Sequence, residues 1–352
     1  MRFPYQSRPR RLATAVLLCS ILFAGLAAAD TRQDRLKAAD TAFHTGYAAE
    51  KAGDLSKAKE QFERVVQLAP DIAEGHSALG SVLVQLGQYS LAIPQLTRAL
   101  ALKADDRSAQ INLAVAYEQS GAYEKSLALF RSLDRNAANP LPASVVIFYI
   151  RALAATQQNE LALKKAQAAV AADPENSALH DTLGSLQAQR QDWNGAVEQF
   201  KEAIRIDSNF AEAHLHLGLT LMMQHQTSDA LQELTTAAAL APQNPLAQVE
   251  FAKALIANNE NEKAVTVLRH ALDLAPTDLN TKYQLALALQ ASGQEQQAIP
   301  LLQEVIAAES RNVPALTNLG LQLYARCNGH RGTTQNFYGI QVASPAALAL
   351  DK

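Results

Sequence analysis

A small residue returns at Ala58, Ala92, Ser126, Ala162, Ala196, Ala230, Ala264 and Ala298, in steps of 34 residues except one of 36, where Leu141-Pro142 is inserted. Four residues after each stands a mostly bulky apolar partner: Phe62, Leu96, Phe130, Ala166, Phe200, Leu234, Leu268 and Leu302. Twelve residues before each is a position that is small in all but one case: Gly46, Gly80, Ala114, Ile150, Gly184, Gly218, Ala252 and Ala286. A fixed period of this length confines a chain to stacked copies of one supersecondary unit, because no single copy can bury its apolar face alone.

Within the period the apolar spacing is helical. Over 73–106, Leu79, Val82, Leu83 and Leu86 form one stripe at three-and-four spacing, and Ala92, Leu96, Ala99, Leu100 and Leu102 form a second. Between them stands Gly87, where a helix ends on a left-handed residue. Gly53, Gly121 and Gly293 fill the same turn slot. Gln157, Gln191, His225 and Asn259 fill it elsewhere, and those turns are expected to need another residue to bend. Four units close on Pro70, Pro174, Pro242 and Pro276, which end one hairpin before the next begins. Composition also points to helices: the chain is 48% hydrophobic but only 6% aromatic, whereas sheets draw on β-branched and aromatic residues. In 143–176, Ile150 takes the small position and Ala166 the bulky one, so this unit is expected to pack loosely.

These intervals resemble those of the tetratricopeptide repeat family. Leu79-Gly80, Gly87-Gln88-Tyr89, Ala92, Leu96 and Ala99 carry the resemblance, as do Gly184, Asp192-Trp193, Ala196, Phe200 and Ala203. It covers residues 39–326, divided as 39–72, 73–106, 107–140, 143–176, 177–210, 211–244, 245–278 and 279–312, with a partial ninth unit at 313–326. The resemblance implies an all-α, right-handed α-solenoid of about eight 34-residue helix-turn-helix repeats plus the partial ninth, whose first helices line a concave groove. Residues 30–38 are expected to be a linker. The ninth unit carries Leu316, Leu319, Gly320 and Leu323 and then loses the pattern. Residues 327–352 are expected to be an irregular tail, read either as a disordered terminus or as a truncated or frame-shifted end.

The N-terminus reads differently. Residues 1–29 carry Arg2, Arg8, Arg10 and Arg11, then an apolar stretch from Leu12 to Leu26, then Ala27-Ala28-Ala29 before Asp30. A basic head, a short apolar core and a small-residue end make a secretory signal peptide, cleaved after Ala29. A retained membrane anchor and lipidation at Cys19 are the alternatives; Leu18 stands where a lipidation signal resembles one needing a small residue. Cleavage removes those four arginines and takes the formal net charge from −3 to −7. An acidic balance without a basic patch excludes a nucleic-acid partner. Of the 2 cysteines only Cys327 then remains, so no disulfide forms within the mature chain.

No catalytic or metal-binding pattern emerges. His76, His180 and His214 share one repeat slot and read as packing residues, and His214 and His216 point to different faces of a helix. There is no H-E-x-x-H, no phosphate loop and no G-x-S-x-G. The inner slots that the family lends to a chaperone-tail clamp hold Phe43, Tyr47, Ser77, Ser81, Ile111 and Val115, and the slot of an asparagine ladder holds Asn only at 112 and 318. The chain is therefore expected to be a non-enzyme that needs no cofactor or metal. It is read as a periplasmic or secreted scaffold whose groove binds a partner protein or peptide, with membrane contact only through the N-terminal segment. The residues that the resemblance places along this groove are Ile111, Val115, Ile147, Arg151, Leu215, Leu219, Met222, Val249, Lys253, Ile256, Tyr283 and Leu287, with Arg151 and Lys253 expected to orient an acidic or C-terminal group. The alternative is a repeat arm, or a truncated fragment, of an envelope glycosyltransferase or cell-wall enzyme complex.

Overall fold

The computed structural model describes the backbone of residues 10–136 and 139–329 and the side chains of residues 31–136 and 139–324. Expectations about the signal segment, about Cys19 and about the tail from Cys327 onward fall on side chains or residues outside these. Among the described residues the chain is an all-α solenoid of seventeen helices and no strand. They run α1 (Arg10–Lys51), α2 (Leu55–Leu68), α3 (Ala73–Gln85), α4 (Tyr89–Leu102), α5 (Arg107–Gln119), α6 (Tyr123–Asp134), α7 (Ala143–Ala155) and α8 (Asn159–Ala172). They continue with α9 (Ser177–Gln189), α10 (Trp193–Ile206), α11 (Ala211–Met223), α12 (Thr227–Leu240), α13 (Pro245–Ala257), α14 (Asn261–Leu274), α15 (Leu279–Ala291), α16 (Glu295–Ala308) and α17 (Val313–Gly329). Residues 30–38 do not form a separate linker: they are helical and continue α1.

The chain divides into two compact units, Met1–Ala162 and Leu163–Lys352, and the division falls inside α8. Each unit is built the same way. Helices pack on their neighbours in order, and consecutive first helices also touch: α3 with α5 and α5 with α7 in one unit, α9 with α11, α11 with α13 and α13 with α15 in the other. Caps start several helices. The Asp106 carboxylate accepts from the Ala109 amide at 3.0 Å and the Asp192 carboxylate from the Gly195 amide at 3.1 Å, satisfying amides that have no partner within the first turn.

The periodic positions form the core. Ala58, Ala92, Ala196, Ala230, Ala264 and Ala298 have no exposed surface, and neither do Phe62, Leu96, Phe130, Leu234, Leu268 and Leu302. Ser126 replaces alanine at one such position; its hydroxyl, buried, donates to the Ala114 carbonyl at 2.8 Å. The small position packs against the bulky one sixteen residues on. A Cβ placed on Gly184 would sit 2.8 Å from the Phe200 ring, and one on Gly80 would sit 2.5 Å from Leu96. In the irregular repeat Ile150 and Ala166 are both fully buried, so neither position is left open to water.

The turns correct one expectation. Gln157, Gln191, His225 and Asn259 need no second residue to bend: each adopts the left-handed conformation itself, at φ 61°, 62°, 60° and 63°, in the slot that glycine fills at Gly53, Gly87, Gly121 and Gly293. An L-residue there carries a steric cost of about 1–2 kcal/mol from its Cβ. The packed hairpins hold that strain in place.

Candidate functional site

The residues placed along the first helices do not share one environment. In the N-terminal unit, Ile111 and Ile147 are half-buried and Val115 is buried. Arg151 is exposed, but its Nε lies 3.2 Å from the carboxylate of Glu118, a buried residue on α5. Burial raises the Glu118 pKa; the Arg151 charge and a hydrogen bond from Gln119 oppose this without cancelling it. The guanidinium also lies over the Phe148 ring at 5.8 Å. Arg151 thus offsets a buried acid of its own chain, which leaves less of its charge for a ligand than expected.

In the C-terminal unit the same rows are split between core and surface. Leu215 joins Leu234, Ala237 and Ala254 in a buried cluster, and Val249 joins Ala252, Leu255 and Leu268 in another. Leu219, Met222, Ile256, Tyr283 and Leu287 remain half-buried. Met222 packs against two clusters, so it is more a core residue than a free wall. Lys253 pairs with Glu250 one turn before it, at 2.9 Å. Neither expected orienting cation is therefore unpartnered.

Sequence reasoning missed the polar rungs that join successive first helices. His216 Nδ1 donates to Asp181 Oδ1 at 2.7 Å, linking α11 to α9, and the imidazole packs on the Phe200 ring at 5.6 Å. Burial would lower the His216 pKa, but the hydrogen bond and charge of Asp181, with the charge of Glu212, outweigh it and raise it above the ordinary histidine value. Asn318 donates to the Tyr283 hydroxyl at 3.0 Å, and Gln85 to the Glu50 carboxylate at 2.6 Å. All three rungs span 35 residues, one period plus one. That interval was readable in the sequence, because a residue and its neighbour one repeat on are bound to face each other across adjacent first helices.

The shared histidine slot is a second polar device. Nε2 of His76 lies 3.0 Å from the Pro70 carbonyl and that of His180 lies 2.9 Å from the Pro174 carbonyl, in each case six residues back. Nδ1 reaches the second helix of the same hairpin, at Gln95 for His76, Gln199 for His180 and Glu233 for His214. Gln110 and Gln248 occupy the slot elsewhere and donate to the carbonyls of Ala104 and Pro242, again six residues back. These side chains, buried in all cases but the half-buried Gln110, satisfy linker carbonyls. Among the described residues no cluster of His, Cys, Asp or Glu is arranged to hold a metal, and no helix is long and apolar enough to cross a membrane.

Four family models match the chain: a TPR repeat over residues 184–225, and tetratricopeptide repeats over 40–71, 77–140 and 221–289. No curated protein matches it in sequence. Among solved structures, it is similar to the APC/C hetero-tetramer Cut9-Hcn1, with a TM-score of 0.60 and 13% identity over 76% of this chain. The chain spans only 52% of that protein's length, and at this identity the likeness shows the fold alone. Lower similarity links it to MamA from Desulfovibrio magneticus RS-1 (TM-score 0.44, 19% identity, 49% of this chain and 97% of that one). The C-terminal part of a TPR repeat-containing protein from Cytophaga hutchinsonii is at a similar level (TM-score 0.47, 18% identity, 69% and 99%). Proteins of this fold generally act without catalysis, as scaffolds that bind protein or peptide partners. With matched repeats over more than half its length and the hairpin register described above, this chain belongs to the tetratricopeptide repeat family.

Proposed function

We propose that the chain is an exported, non-catalytic scaffold that holds a partner protein or peptide against the half-open row of its first helices. The observation that carries this reading is the incomplete burial of Leu219, Ile256, Tyr283 and Leu287, beside buried Leu215 and Val249. A purely structural wall would be expected either to seal such side chains or to replace them with polar ones, and apolar surface left open on a packed scaffold usually marks an interaction site. Ile111 and Ile147 form the corresponding apolar pair in the N-terminal unit. Since Arg151 and Lys253 already have acidic partners, the partner is held chiefly by apolar contact, with polar rungs such as Asp181–His216 at its edge. Export rests on residues 1–29 and would place the scaffold in the periplasm or outside the cell.

Two variants test the reading. Leu219→Glu with Leu287→Glu should abolish capture of the partner from envelope extract while circular dichroism and melting temperature stay close to wild type. Leu215→Ala, which truncates a buried side chain, should instead lower stability by about 2–5 kcal/mol. Capture that survives the double substitution in a folded protein would overturn the proposal. The intact mass of the exported protein would decide the export claim, since a cleaved chain begins at Asp30.

A further inference from the structure

The thioethers of the chain are concentrated at one place. Of its 3 methionines, the two besides Met1 are consecutive, Met222 and Met223, and close α11. Repeat packing does not call for a thioether at either position. The slot of Met223 holds Gln85, Gln119, Gln189 and Ala257 in other hairpins, and that of Met222 holds Val84, Glu118, Ala188 and Ile256. The two side chains differ in depth: Met223 is 49% exposed, whereas Met222 is half-buried. Met222 packs against the cluster of Phe200, Leu217 and Ala230 and also against that of Leu215, Leu234 and Ala254, and among the described residues no other side chain is common to the two. Those residues lie on α10, α11, α12 and α13, so Met222 is a joint between three successive hairpins. The turn directly after it is strained: His225 holds φ 60°, and its amide donates to the Met222 carbonyl at 3.0 Å.

A thioether is the one apolar side chain that a single oxygen atom makes polar. Its sulfur lone pair attacks a peroxide oxygen; an S–O bond forms, the O–O bond breaks, and the other oxygen leaves with both protons as water. Sulfur loses two electrons and peroxide gains them. The resulting sulfoxide is polar and disrupts apolar contacts. On Met223 it is solvated. On Met222 it either sits between two apolar clusters, where a polar group is costly, or turns out to water and vacates both. Each course undoes the joint. From this pairing of an outer and an inner thioether, we propose that Met222 is a modification site for peroxide, at which conversion to the sulfoxide opens the packing of α11 on its neighbours, while Met223 consumes the first oxidant. Sulfoxide reductases reverse the change. The site belongs to the fold of the C-terminal unit and stands whether or not a partner lies beside Leu219.

Hydrogen peroxide added in steps to the folded full chain tests this, in a Cys19→Ser, Cys327→Ser background so that no thiol competes. Peptide mass spectrometry should find Met223 oxidised ahead of Met222. Amide exchange in α10 to α13 should keep its initial protection while Met223 alone is oxidised and lose it as Met222 follows. Met222→Leu, a swap that conserves volume, should keep protection at a dose that opens the parent chain. Should Met222→Leu disturb the fold, Met223→Leu decides, since opening must then follow oxidation of Met222 alone. A Met222 that stays reduced where free methionine is fully oxidised overturns the inference. So does oxidation of Met222 that leaves protection unchanged, or a folded Met222→Leu chain that opens at the same peroxide dose.

Discussion

Four turns hold a side chain in a backbone conformation that favours glycine, and the four siblings that do hold glycine serve as internal controls. His225→Gly and Gln191→Gly should each raise stability by about 1 kcal/mol, the strain that a Cβ imposes there. Asn259→Gly should gain less, because asparagine tolerates the left-handed region better than most residues. Chemical denaturation of the three variants checks both the sign and the order. A second residue-level effect follows from the raised His216 pKa. A histidine whose folded pKa lies above its unfolded value stabilises the fold fully below that unfolded value, near 6.5, and loses the contribution as pH rises through the folded pKa. Melting temperature followed from mildly acidic to mildly alkaline pH should therefore fall more steeply in wild type than in Asp181→Asn, which removes the main stabiliser of the imidazolium. Parallel curves would show that the Asp181–His216 rung contributes nothing to folding.

Hairpins depend on a match of volumes between a glycine or alanine on the first helix and a bulky residue sixteen positions later. At Gly218 an added Cβ would lie 2.5 Å from Leu234 Cγ, in a core too dense to accommodate it without displacement. Gly218→Ala should cost about 1–3 kcal/mol by overpacking, and the cost should shrink in a Leu234→Ala background, which removes Cγ and Cδ2 and leaves only the backbone nitrogen of residue 234 close by, at 3.3 Å. A double-mutant cycle on urea unfolding measures that coupling; additive effects would show that the two positions do not meet. Much at this scale was legible in the sequence. The period gave the helices, the turn slots and the buried alanines, because burial at a fixed phase is what keeps a repeat in register. Periodicity assigns a residue to a face and not a depth, so it did not separate Leu215, sealed against Leu234, from Leu219, which stays half open. Nor did it show what Gly184 faces, since the helix crossing that puts Phe200 there is tertiary. Periodicity likewise does not show the acids that pair with the cations of the inner row, Glu118 with Arg151 and Glu250 with Lys253, because they occupy other slots of the repeat.

In a stack of this kind each hairpin touches only its neighbours, so stability is approximately a sum of repeat and nearest-neighbour contributions. Ala196 shows how short the reach of a core position is: its cluster holds Phe200 on the same helix, Leu217 and Leu221 on α11, and Ala230 on α12, with Ala188 on α9 and Val197, Ile204 and Met222 packed at its edge. Replacing Ala196 with leucine adds methyl groups where no surface is exposed and should cost about 1–3 kcal/mol. In a globular core that cost would be felt by the whole cooperative unit. Here it should appear mainly as local opening, with amide protons of α9 to α12 exchanging faster and those of α15 and α16, in the same unit, keeping wild-type protection. Hydrogen exchange resolved along the chain separates the two cases. Uniform loss of protection through α16 would mean that the C-terminal unit unfolds as a single cooperative block, and that the one-dimensional description fails at this length. Unchanged exchange in α9 and α10 would mean that the alanine register itself is misplaced.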